Sequence, residues 1–536
     1  MEDLKIVNGI VYDPLNGIDG ERLDIHVSGG KIAERAKAQR VIDVKGMVVM
    51  PGGVDIHSHI AGPKINMGRR LRPENHRTAP VPKTDVTRAG VGGGLSSTFV
   101  TGYRYAAMGY TTVMEPAVPP LMARHAHEEL NDIPMVDKGC YVLMGNNEYI
   151  ISHIHELNKV ENYVKWLLNA AKGYAIKAVN PCGSDNWKWG ENVHGLGEKG
   201  VKFDATPKEM ITTLSEVNKR LKLPHPLHLH TIDLGVPGNY ETTLETLEML
   251  KGKRAHLTHL QFNCYGGSSW KDLSSEAGGI AEKVNDSKIT VDSGQVIFGD
   301  VTTMTADAPW QYRLYRLSGN KWVNNDVEVE CGGGIVPYRY RKKNSVNATQ
   351  WAIGLELLLM IEDPWRVYLS TDNPNGGSFT SYPYIIKLLM DKKFRKEELS
   401  TLHQNASSTS LPDIDREYTL GEIATITRGA TAKSLGLKNK GHLGVGADAD
   451  IAIYPLKEDI AKMFSKASYV IKDGDLVVGK GKIISEKYGK TFMLDFKEKV
   501  EPDPDVREFF KYYTVDIENY PVEMAYLPRY EAIKCG

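Results

Sequence analysis

The sequence predicts an α/β protein: a (β/α)8 barrel with long loops, joined to one small sheet domain assembled from both ends of the chain. Two textures predict this. Between about residues 51 and 430, short apolar strands alternate with helical patterns, which argues for a parallel sheet. About eight such strands fall in that span, enough to close a barrel; an open doubly wound sheet is the alternative. The flanks, 1–50 and 431–490, instead show strands punctuated by turn residues, and 491–536 is set apart as a C-terminal tail.

Taken in order, the first flank places Lys5-Ile6-Val7 before Asn8-Gly9, and Ile25-His26-Val27 before Gly29-Gly30. Asn-Gly and Gly-Gly tolerate positive φ and mark turns. In the middle, strand candidates fall at 54–60, 111–115, 141–144, 175–180, 226–230, 256–260, 288–291 and 367–371; the clearest helices fall at 161–172, 208–220 and 240–251. The second flank repeats the texture of the first. Gly446-Ala447-Asp448-Ala449-Asp450 leads into Ile451-Ala452-Ile453-Tyr454, and Tyr469-Val470-Ile471 leads into Lys472-Asp473-Gly474. The tail is charged, then aromatic and proline-punctuated (Tyr512, Tyr513, Tyr520, Pro521, Tyr526, Pro528), which predicts an ordered segment packed on the body or on a partner.

The 536 residues carry 66 Lys+Arg against 67 Asp+Glu, a balance that gives no electrostatic reason for binding nucleic acid or a membrane surface. The cysteines, at 140, 182, 264, 331 and 535, form no CxxC pair. That argues against an iron–sulfur cluster or thiolate zinc site in this chain and fits reduced thiols in a cytoplasm. The start, MEDLKIVNG, has no charged-then-apolar leader. The most apolar helical stretch, near 351–361, carries Glu356 and is too short to span a bilayer. The expectation is a soluble, cytoplasmic protein with no nucleic-acid partner and no membrane insertion.

Four His-x-His pairs occur, at 57/59, 125/127, 153/155 and 228/230, where simple frequency predicts about half of one. The pairs at 125/127 and 153/155 lie in helix-like contexts, in which i and i+2 do not share a face. On a strand they do, so His57 and His59 point the same way and can share one metal ion. In Ala175-Ile176-Lys177-Ala178-Val179, a lysine takes a buried strand position. It pairs with a carboxylate, snorkels from the strand end, or has its pKa lowered by burial so that the neutral amine adds carbon dioxide. The resulting carbamate could bridge two cations. His230 lies nearer its strand's C-terminal end than His228, and barrel sites sit at that end; His228 then stands behind it. The same rule selects His259 over His256. Asp372 ends an apolar strand and reads either as a loop cap or as a catalytic carboxylate.

The order His-x-His, Lys, His, His, Asp, each at a strand end, resembles the amidohydrolase superfamily of the binuclear metal type. The entry MPGGVDIHSHI and the return GHLGVGADADIAIY are similar to that superfamily as well, and imply a distorted TIM-like barrel plus a composite β-sandwich from both termini. AIKAVNPCG, HLHTIDLGVPGNYETTLETL, HLTHLQF, DSGQVIFGDVTTMTADAP and STDNPNGGSF resemble the amidohydrolase-like subunit of formylmethanofuran dehydrogenase, and the resemblance runs through nearly the whole chain.

This resemblance implies a centre of two zinc ions. His57 and His59 would hold one and His230 and His259 the other; Lys177, as N6-carboxylysine, would bridge them; Asp372 would be both ligand and proton shuttle. It further implies partner subunits: one with a tungsten or molybdenum pterin that reduces carbon dioxide to formate, and polyferredoxin-like subunits with iron–sulfur clusters. Here formate would condense with methanofuran to N-formylmethanofuran, the first step of methanogenesis from carbon dioxide. Formamide hydrolysis would be the reverse. Three readings compete. They are the homologous subunit of the formyltransferase/hydrolase complex of methylotrophic bacteria, a stand-alone cyclic amidohydrolase resembling hydantoinases or dihydroorotases, and a metal-free scaffolding protein. The basic runs Arg69, Arg70, Arg72 and Arg339, Arg341, Lys342, Lys343 stay open between solvated charge and a site for an anionic tail.

Overall fold

The computed structural model describes residues 2–325, 333–497, 500–513 and 515–535; Cys331 lies outside them. Eight parallel strands form the barrel wall: β1 (Gly53–Asp55), β2 (Tyr110–Val118), β3 (Asp137–Leu143), β4 (Ala175–Val179), β5 (Leu227–His230), β6 (Ala255–Leu257), β7 (Thr290–Asp292) and β8 (Val367–Tyr368). Each pairs with the next in sequence. A parallel bridge between Ser58 and Asn373 brings the continuations of β1 and β8 together. Strands β2 to β5 are buried at every position, as expected of a parallel sheet covered on both faces.

Register builds the interior. Lys177 pairs with His228, His228 with His256, and His256 with Thr290, so one polar row crosses four adjacent strands. Val179 pairs with His230 one layer higher. Helices Leu157–Ala170, Pro207–Arg220 and Tyr240–Met249 lie close to the predicted spans, the first beginning one turn earlier. Pro207 opens the second inside a reciprocal Thr206/Glu209 capping box, which satisfies donors that would otherwise be orphaned. Helix Ser345–Met360 is buried along nearly its whole length, Glu356 included. Its apolar sequence thus reflects a core position; among the described residues, no helix is long and apolar enough to cross a membrane.

Further elements lie outside the barrel repeat. Between β7 and β8, strands Gly299–Thr305, Val323–Asn325 and Gly333–Tyr340 form an antiparallel sheet. The two chain ends meet in a nine-stranded sheet, where Met47–Pro51 pairs antiparallel with Ile451–Pro455. Leu4–Asp13 carries three neighbouring strands, so this sheet branches and encloses its own core around Ile6, Val27, Val49, Ile451 and Ile471. The tail packs on the body. Thr491–Asp495 pairs with the first residues of β3, Tyr530–Lys534 pairs with it in turn, and Phe510 packs among Tyr163 and Tyr520.

A buried charge cluster clamps the small sheet to the barrel. Lys472 Nζ lies 2.8 Å from Asp137 at the start of β3, 3.1 Å from Asp450 and 3.0 Å from Asp473. Lys440 Nζ contacts Asp137 and lies 2.8 Å from both Asp448 and Asp450. Burial alone would raise the Asp448 pKa, but Lys440 and Lys31 bring it down to about 2. Lys440→Met strands carboxylates opposite one missing ammonium and should cost about 3–5 kcal/mol, read from denaturant unfolding. Asp448 is held below its unfolded value of about 3.9, so its contribution is complete above that pH. It is lost as pH falls toward about 2. Acid unfolding of the wild type should therefore steepen below about pH 4, and Lys440→Met should flatten that segment.

Candidate metal centre

β1 ends at Asp55, and the chain bends before the histidines. The Asp55 carboxylate fixes this bend. It accepts from the His57 amide (3.1 Å), from Tyr105 Oη (2.8 Å) and from Tyr382 Oη (2.6 Å). His57 and His59 thus leave the regular strand, yet they converge. Their Nε2 atoms lie 2.9 Å and 3.3 Å from one atom, Asp372 Oδ1, which nonetheless makes no aligned hydrogen bond. Three donor atoms crowded together without hydrogen-bond alignment are aimed at a shared point rather than at each other.

Lys177 comes from the middle of β4. Its Nζ is buried and has no hydrogen-bond partner among the described residues. Burial brings its pKa down to about 7, against the opposing pull of Asp372 and Asp292. An unpaired buried amine is costly, so this position calls for a further chemical group. His230 is the last residue of β5. His259 falls beyond β6, where a left-handed backbone (φ 37°) turns its ring inward; it does not occupy the strand face that simple alternation gives. Gly294 backs it, and a Cβ there would lie 2.4 Å from His259 Cβ. The His230 and His259 rings meet edge to face at 4.7 Å, and His259 Nδ1 is buried without a partner among the described residues.

Carboxylates orient several of these rings. Glu115 Oε1 lies 2.9 Å from His59 Nδ1, while Oε2 accepts from the amides of Ile60 and Ala61. Asp307 Oδ2 lies 3.2 Å from His230 Nε2, and Asn180 donates to Oδ1 at 3.1 Å. Asp292 Oδ2 lies 3.0 Å from His256 Nε2, and Oδ1 accepts from the His259 amide. His228 does stand behind the strand end, but its Nε2 meets His57 Nδ1 at 2.9 Å. Burial pushes His57, His228, His230 and His259 well below the usual histidine range, which leaves them neutral, as metal ligands must be. For His59 the same burial is outweighed by Glu115 and Asp372, and its pKa rises. Sequence reasoning missed Glu115, Asp292 and Asp307. Each had a faint signal: an acid inside a buried strand, an acid closing β7, and a helix cap before Ala308-Pro309.

A cavity of about 360 Å³ opens onto His230 and Asp372. Phe262, Trp270, Trp310 and Tyr338 wall it, and Arg339 and Arg341 reach it from the surface. Arg339 Nε lies 3.8 Å from Asp300, Arg69 pairs with Glu129, Arg72 bonds Thr302, and Lys342 pairs with Glu398. His127 is buried against the Ala171 carbonyl, and His125 is exposed beside Glu128. His153 bonds the Tyr149 carbonyl. These histidines find partners outside the centre.

The donor set therefore fits divalent metal. It has imidazoles, all but His59 pushed toward the neutral form by burial, one carboxylate, and an amine without a partner among the described residues that could become a carbamate. The model of the amidohydrolase family matches residues 40–478. The chain is 48% identical to Protein FwdA of Methanocaldococcus jannaschii, over 99% of this chain and 98% of that one. It is 38% identical to a component of the formyltransferase/hydrolase complex Fhc of Methylorubrum extorquens, over 96% and 94%. The solved FhcABCD complex from Methylorubrum extorquens with methylofuran contains a chain that superposes with a TM-score of 0.92 at 35% identity, over 100% of both. With a family match over most of its length, and on a barrel carrying such donors at its strand ends, this chain belongs to the amidohydrolase family.

Proposed function

We propose that this chain is the amidohydrolase-type subunit of a formylmethanofuran dehydrogenase, joining formate to the primary amine of methanofuran and, in reverse, hydrolysing the formamide. The observation that carries the chemistry is Lys177: a buried amine without a partner among the described residues, in register beside His228 and one layer below His230. Similarity to FwdA over the whole chain supports the assembly. In this reading His57 and His59 would hold one zinc and His230 and His259 the other, with carboxylated Lys177 as the group that would link them. When bound, such ions supply an activated water and polarise the formyl oxygen.

The chain's own residues do the rest. Asp372, whose Oδ1 faces both His57 and His59, carries the proton between water and the leaving amine. The aromatic walls hold the amine substrate and narrow the space for water, and Arg339 and Arg341 face an anionic tail. Formate would arrive from a partner subunit carrying a tungsten or molybdenum pterin. The 0.92 TM-score to the FhcABCD chain supports a second reading, a component of a formyltransferase/hydrolase complex. Native purification with subunit identification decides: redox subunits with pterin and iron–sulfur clusters support the first, and their absence from an intact complex supports the second.

Three substitutions test the site. Lys177→Ala should lose at least one ion per chain by elemental analysis. It should also lose the carbamate carbon resonance that the wild type gives with isotopically labelled bicarbonate; an unmodified lysine in fresh wild-type holoprotein would overturn the bridge. Asp372→Asn should keep its metal while kcat falls about 10²–10⁴-fold. Gly294→Ala drives a Cβ into His259; it should lose the ion assigned to His230 and His259 while keeping the other.

A further inference from the structure

A file of imidazoles runs from the candidate centre down through the barrel. His57 Nδ1 meets His228 Nε2 at 2.9 Å, His228 Nδ1 meets His225 Nε2 at 3.0 Å, and His225 Nδ1 meets the Ser434 carbonyl oxygen at 3.0 Å. All three rings are buried, and Tyr141 packs against both His225 and His228. His225 precedes β5, so the file starts at the opposite end of the strands from the site.

The structure assigns to His225 the role of a positioning residue that fixes, through His228, which nitrogen of His57 is free to bind metal. Counting protons along the file leads there. A carbonyl oxygen can only accept, so His225 Nδ1 carries a hydrogen. Each gap between facing nitrogens holds one hydrogen. His225 Nε2 therefore accepts from His228 Nδ1–H, and His228 Nε2 accepts from His57 Nδ1–H. The one lone pair left on His57 is at Nε2, the atom 2.9 Å from Asp372 Oδ1. The Thr258 hydroxyl also touches His57 Nδ1, but a hydroxyl donates or accepts equally well and cannot choose. Asp292 lies 3.6 Å away, beyond hydrogen-bond range, and is engaged by His256. His59 has its own carboxylate in Glu115. His57 instead takes its orientation from a backbone carbonyl two rings beyond it.

The role rests on the metal reading for its consequence, whereas the tautomer of His57 is tested without metal. In metal-free wild type with nitrogen-labelled histidine, NMR should show His57 as the Nδ1–H tautomer; an Nε2–H tautomer overturns the assignment whether or not the protein binds metal. His225→Phe keeps a ring against Tyr141 but breaks the file. It should weaken zinc binding at the His57 and His59 half by about 10–100-fold, measured by chelator competition, with the His230 and His259 half unchanged. His225→Gln can donate to Ser434 and accept from His228, and should restore affinity to within about threefold. Unchanged affinity in His225→Phe, or an equal loss in both variants, overturns the role.

Discussion

The cost of an unpaired amine inside a barrel governs the architecture of this protein. Lys177 lies mid-strand, in register with His228 rather than with an acid, and burial holds its pKa at about 7. Were Asp372 or Asp292 placed to pair with it, the side chain would be an ordinary buried ion pair. Those carboxylates are engaged elsewhere: Asp372 faces His57 and His59, and Asp292 serves His256 and the His259 amide. Burial lowers the cost of deprotonating this lysine, and in the proposed reading the free amine, the nucleophilic form, would capture carbon dioxide. Burial drives His57, His228, His230 and His259 toward the neutral form for the same reason, while Glu115 and Asp372 oppose it at His59. Desolvation disfavours charge on both residue types, and the charge of bound cations would restore balance.

A polar barrel interior must be satisfied layer by layer, and this one is satisfied in two ways. Toward the strand ends, carboxylates orient rings directly: Glu115 for His59 and Asp307 for His230. Toward the bottom, imidazoles satisfy each other, and the file ends on a backbone carbonyl. The charge cluster of Lys440 and Lys472 works at β3's first residue, Asp137. It anchors the sheet made by both chain ends to the strand beside β4. Separation of chain ends in sequence therefore does not loosen the wall that carries Lys177.

The barrel was legible because its strands are short apolar runs alternating with helical patterns, and the ends because Gly29-Gly30 does mark a turn; Asn8-Gly9, expected as a turn, instead lies inside the strand Leu4–Asp13, where a register shift and a left-handed Asn8 make a bulge. The strand ends themselves were not. Alternation predicts that His57 and His59 share a face on a strand running to residue 60, but the strand stops at Asp55 and a carboxylate-held bend does the converging. His259 needed a left-handed backbone that sequence does not announce outside glycine and asparagine. Glu115, Asp292 and Asp307 escaped notice because their roles depend on contacts across 33 to 77 residues of chain, and His225 because it acts on His57 only through a second ring. A single acid or histidine in an apolar stretch carries no spacing signal. The tail strands Thr491–Asp495 and Tyr530–Lys534 were hidden by their charged flanks.

Much of the wall around the candidate centre comes from outside the barrel repeat. The antiparallel sheet inserted between β7 and β8 supplies Thr303, Thr305, Tyr338 and Tyr340 to the cavity and places Arg339 and Arg341 at its outer side. Arg72, near the β1 end, bonds Thr302 and the carbonyls of Val301 and Tyr338. One buried guanidinium thus ties the insertion to the segment that follows His57 and His59. The cavity wall and the loop carrying His57 and His59 are in this way tied together. A shift in either would be felt at Asp372, which lines the cavity and touches both histidines. In the proposed reading, selectivity for a long amine with an anionic end would follow from coupling an aromatic, cation-edged wall to Asp372, rather than from the ligand set, which simpler amide hydrolysis would need equally.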